Sequence, residues 1–170
     1  MSILTQYREK LHLKDVEQAF QQKKSAGNFT GLTKVGFLMD ATEAASTKQA
    51  LVFIEQLKKK AEHIHVLGYV NKKEVKETLP FDSFCKKDLD WLWRPKDTTA
   101  VQFKEQTFDL LINLCQTDCF PLEYVAVSTN ANYKIGALTD YPNNYDLILD
   151  SKNLAKYLEQ VHFFLVKFSN

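Results

Sequence analysis

Asp40 closes a short apolar run, Val35-Gly-Phe-Leu-Met39, and leads into the small, hydroxyl-rich stretch Ala-Thr42-Glu-Ala-Ala-Ser46. An aspartate at the end of a buried strand can serve as a nucleophile, a phospho-acceptor or a metal ligand, or it can anchor the loop. Polar residues stand at comparable places further along: Tyr69 and Asn71 after a second apolar run, Asn113 and Cys115 after a third. Ligands of open α/β sheets collect beyond the carboxyl ends of the strands, so Asp40, Thr42, Asn71, Asn113 and Cys115 form the candidate binding set. The loop from Asp40 to Lys48 enters a helix whose first amides can hold an anion, although capping by Thr42 or Ser46 is the plainer reading. Ser128, Thr129, Asn130 and Lys134 belong to the opposite end of the sheet.

No covalent chemistry is written into the spacing. There is no G-x-S-x-G, and no second acidic residue sits beside Asp40. The five glycines form neither G-x-G-x-x-G nor G-x-x-x-x-G-K-[ST], so no nucleotide cofactor is expected in the usual glycine-lined loop. Three cysteines, Cys85, Cys115 and Cys119, and four histidines provide no set of four metal ligands, and no metal is expected. With 22 Lys+Arg against 21 Asp+Glu the chain lacks the basic surplus of a nucleic-acid binder, and no apolar run is long enough to span a membrane. The charged opening, MSILTQYREKLHLKD, and the odd number of cysteines predict reduced thiols and a cytoplasmic location.

A second cluster has a different character. Trp91, Trp93 and Arg94 sit in an irregular stretch, Lys86 to Lys96, that ends near a proline. Tryptophan and arginine are favoured at interface hot spots, which makes these three the candidate interface residues; the alternative is a lid folded back on the core.

The elements that must position these groups read as follows. At 170 residues with 45% apolar content, one domain is expected over 1–170. Residues 1–26 carry an amphipathic helix from Ile3 to about Lys24, stopped by the glycines of Ser25 to Gly31, which must cover its own domain or a second subunit. Residues 34–150 alternate strand and helix, with strands over Val35–Met39, Ile64–Val70, Phe81–Cys85, Phe108–Cys115, Tyr133–Leu138 and Tyr145–Leu149. A helix is expected over Pro121–Ala131 and a final amphipathic one over 152–168. Continuous apolar strands separated by helices imply a three-layer Rossmann-like α/β sandwich with a mostly parallel sheet of about six strands. The link from Leu138 to Tyr145 looks too short for a parallel crossover, so the last strand is expected antiparallel at one edge.

The cadence FDLLINLC, PLEYVAVSTNANYKIGAL, YDLILD, from Phe108 to Asp150, resembles an uncharacterised bacterial family of small α/β proteins. More distantly it is similar to the amino-terminal half of heptosyltransferase-type glycosyltransferases, with Ala131 to Gly136 in place of their A-x-x-x-I-G turn. The first resemblance implies a fold and no activity. The second implies a catalytic acid in a Gly-Asp pair, where this chain has Met39-Asp40, and a nucleotide-sugar domain that it lacks. The function expected is therefore a non-catalytic Rossmann-like binding or interaction module that self-associates or docks a protein. The alternative is an enzyme or sensor for a phosphate- or sugar-type ligand around Asp40.

Overall fold

A computed structural model describes residues 2–22, 29–75, 78–140, 145–151 and 153–168. Among the described residues six strands form one sheet: β1 (Lys34–Asp40), β2 (His63–Val70), β3 (Asp82–Cys85), β4 (Thr107–Asn113), β5 (Asn130–Ala137) and β6 (Leu147–Leu149). Their order is β3-β2-β1-β4-β5-β6 and every pairing is parallel. β1 lies in the middle, with five consecutive buried residues, as a strand covered on both faces must be. The chain runs outward from β1 to β3 and then returns to place β4 on the other flank of β1, with Val35 opposite Leu110 and Phe37 opposite Ile112. The strand order thus reverses between Asp40 and Asn113, the point where ligands settle in sheets of this class.

Helices α2 (Ala44–Leu57) and α5 (Leu154–Phe168) cover one face, burying Phe53, Ile54, Tyr157, Val161 and Leu165 against Phe37, Met39 and Ile112. Helices α3 (Thr98–Glu105) and α4 (Phe120–Ser128) cover the other with Phe103, Leu122, Val125 and Ala126. Helix α1 (Ile3–Gln22) adds an outer layer, packing Leu13, Val16 and Phe20 on Phe120, Tyr124 and Val127 of α4. The helix thus covers its own chain. Only part of its apolar stripe is used, because α4 has nine residues and so spans about 13 Å. Ile3, Leu4 and Tyr7 stay exposed.

The edge strand departs from expectation. β6 runs parallel to β5, with Ile135 opposite Leu147 and Ala137 opposite Leu149. The antiparallel expectation assumed a full-length return crossover, but β6 is three residues long and pairs only with the last part of β5. The chain needs to retreat by only about 7 Å, less than the crossover length that the expectation took for granted. Helix α4 also ends earlier than the spacing suggested. Thr129 is extended, its hydroxyl donates to the Val125 carbonyl at 2.7 Å, and β5 begins at Asn130.

Candidate functional site

The crest of β1 and β2 is laced together by short polar bonds. The Asp40 carboxylate accepts from the Thr42 amide at 2.9 Å, the Thr42 hydroxyl accepts from the Asn71 amide at 2.8 Å, and the Tyr69 hydroxyl donates to the Asn71 side chain at 3.2 Å. Neither Thr42 nor Ser46 caps α2. Its N-cap is Glu43, which makes no side-chain cap bond. Two carboxylates, Asp40 and Glu43, therefore stand beside the amino end of this helix and oppose an anion there.

The tryptophan segment is a closed turn built on Asp90. One carboxylate oxygen of Asp90 accepts from the amides of Leu92 (2.8 Å) and Arg94 (3.0 Å), and the other accepts from Arg94 Nε at 2.7 Å. The Leu89–Pro95 bridge closes the loop. These bonds hold Trp93 at φ 59°, a left-handed conformation that bulky residues rarely adopt and that persists only where its surroundings over-determine it. Trp93 turns inward, its ring 4.7 Å from Phe120 and under the Arg8 guanidinium at 3.6 Å. Arg94 pairs with Asp90 and, at 3.5 Å, with Asp15 of α1. Trp91 is 55% exposed.

Between the strand ends and this turn lies a cleft of about 660 Å³. Asp40 and Tyr69 contribute from the sheet, Asn71 from just beyond β2, Trp91 and Trp93 from the turn, Arg8 from α1, Lys86 from just after β3, and Thr117 to Pro121 from the β4–α4 connection and the start of α4. The structure thus brings two of the five sequence-derived ligand candidates together with two of the three interface candidates. Asp40 also borders a smaller cleft of about 190 Å³ at the strand-order reversal, shared with Glu43, Ser46, Cys115 and Thr117. Thr42 instead faces a broader groove between α2 and the segment after β2.

Asn113 has a separate role. It is 1% exposed, and its side-chain amide donates to the Tyr145 hydroxyl at 2.8 Å and to Glu123 at 3.3 Å, while its oxygen accepts from the Cys115 amide at 3.1 Å. Tyr145 donates to Glu123 at 2.8 Å, and Tyr157, from the opposite face of the sheet, donates to the Asn113 carbonyl at 2.7 Å. The Tyr145 ring lies flat on Gly136, where a Cβ would come within 2.3 Å of it, so residue 136 has to lack a side chain. Glu123 is buried, and burial pushes its carboxyl up to about 7. Cys119 begins α4 beside Cys115; that contact and burial hold its thiol well above the ordinary range, so it is a poor nucleophile.

Sequence reasoning missed Arg8, Lys86, Asp118 and Glu123. Only Glu123 left a signal: it is the sole charge in Phe120–Ser128, an otherwise apolar helix. Among the described residues no three His, Cys, Asp or Glu side chains gather as a metal site, and no helix is long and apolar enough to cross a membrane.

No curated protein and no solved structure matches the chain. A family model does match, over residues 8–168, nearly all of the elements described above. This is consistent with the resemblance of the 108–150 cadence to an uncharacterised family, and the chain belongs to a family of unknown function (DUF6913).

Proposed function

We propose that this protein is a non-catalytic, cytoplasmic binding domain that holds a small sugar-type ligand in the Asp40 cleft. The observation that carries this reading is the cleft itself, with carboxylate and amide groups (Asp40, Asn71) on its floor and tryptophan at its wall and rim. A sugar ring offers an apolar C–H face to an aromatic surface and hydroxyls to carboxylates and amides around its edge, and this lining supplies both partners. The phosphate-type alternative at the start of α2 is disfavoured by Asp40 and Glu43. A binding role is preferred to catalysis because Asp40 is engaged in its own loop and the Cys119 thiol is held protonated.

Ligand-observed NMR against a panel of monosaccharides tests this. Saturation transfer to one or more sugars is expected, reduced at least severalfold in Asp40→Ala; equal signals from both proteins would overturn the assignment. The second reading, self-association or a protein partner, draws on the exposure of Trp91 and of Ile3, Leu4 and Tyr7 of α1. Light scattering of the full chain and of an Ile3→Ser, Leu4→Ser, Tyr7→Ser variant tests its self-association arm: identical monomeric masses would remove that arm.

A further inference from the structure

Arg8 carries a hydrogen-bond donor, Nε, that the chain leaves unused. Its guanidinium lies over the Trp93 ring at 3.6 Å, and its Nε is buried without a hydrogen-bond partner. Stacking occupies the face of the planar group and leaves the in-plane N–H fork open. The carboxylate that acts on it, Asp90, is already committed, since its two oxygens accept from the Leu92 and Arg94 amides and from Arg94 Nε. Buried donors in native structures are nearly always satisfied, so this one calls for an acceptor from outside the chain. Arg8 borders the cleft, as does a second cation, Lys86.

We infer that Arg8 is the anion-recognising side chain of the cleft, so that the ligand is an acidic sugar whose carboxylate or phosphate lies in the plane of the Arg8 fork. This rests on the sugar reading above. The carboxylates of Asp40 and Asp118, on the same cleft, take hydroxyl donors from the neutral part of the ring, and Lys86 adds a second positive charge for the acidic group. Helix α1 then completes the binding site by delivering Arg8 to it. The tight turn around Trp93 provides the flat surface that keeps the fork oriented before ligand arrives.

Titration calorimetry with glucose, glucuronate and glucose 6-phosphate, and with acetate and inorganic phosphate as sugar-free anions, decides the matter. Glucuronate, glucose 6-phosphate or both should bind at least about tenfold more tightly than glucose. That preference should vanish in Arg8→Gln and fall to an intermediate value in Arg8→Lys, which keeps charge and loses the fork. Equal binding of acidic and neutral sugars by the wild-type protein overturns the inference and leaves the sugar reading intact, whether or not Arg8→Gln folds. An acidic preference that survives in Arg8→Gln also overturns it. Arg8-dependent binding of acetate or phosphate with no sugar bound sustains the anion site and overturns the sugar. Absence of binding by all five probes overturns both.

Discussion

His12 and Glu123 are both buried ionisable side chains on the α4 side of the sheet, and they answer to acid in opposite senses. His12, on α1, donates from Nδ1 to the Leu92 carbonyl at 2.7 Å and so ties the outer helix to the tryptophan turn. Burial is the main cause that lowers its pKa, against the pull of Asp15 and Asp90 and with that of Arg8, so the folded chain binds fewer protons there than the unfolded one. Its contribution is complete above the ordinary histidine range and fades as pH falls below it. Glu123 is raised instead, so the fold holds its proton; its contribution is complete below about pH 4.5 and fades as pH rises to about 7. One group secures the wall of the cleft and the other braces the strand ends beneath it. The comparison shows that two supports of one site can be tuned to opposite pH limits chiefly by burial, the sign being set by which protonation state is neutral.

The largest effect should come from cutting the brace. Tyr145→Ala removes the ring from Gly136 and one of two donors to Glu123, and should lower unfolding free energy by about 4 kcal/mol in urea. Native-state hydrogen exchange of α1 should change only as much as global stability does; selective loss of α1 protection would dissolve the distinction between brace and wall. Next, wild-type stability should fall by about 3 kcal/mol between pH 4.5 and 7 through Glu123, and Glu123→Gln should flatten that slope. An unchanged slope in the variant would place the proton elsewhere.

His12→Ala addresses the wall and should cost about 2 kcal/mol, with the change concentrated in α1 exchange and Trp93 emission while the sheet amides stay protected. In the wild type the same local protection should weaken as pH drops below the histidine range; a uniform loss across sheet and helix would show that α1 is not a separate unit. Smallest of all, Tyr157→Phe deletes the single bond to the Asn113 carbonyl and should cost about 1 kcal/mol without altering either pH response.

Much of this frame was legible from residue order. Short apolar runs such as Val35–Met39, bounded by polar residues, read as strands buried on both faces, and the helical spacing in Leu154–Phe168 reads as one apolar stripe. Asp40 and Asn71 were found because strand ends fix where a crest must be. The direction of β6 was not legible, since a three-residue strand escapes the crossover rule that governs full-length ones. Asn113 was equally opaque: whether a polar group at a strand end faces ligand or core depends on Glu123 and Tyr145, ten and thirty-two residues away. Arg8 looks like any charge on the wet side of an amphipathic helix until the helix is docked. Its partner ring is eighty-five positions later, and no local pattern carries that information.

Because α1 rests on α4, this helix cannot find its seat until residues past Ser128 have been synthesised. The β1–β4 pairing imposes a similar delay, with Val35 waiting for Leu110. Such long-range closure slows folding and leaves an apolar helix stripe and a bare strand edge exposed on the nascent chain. A chaperone that shelters extended hydrophobic segments should therefore raise the yield of this protein more than a faster-translating message would.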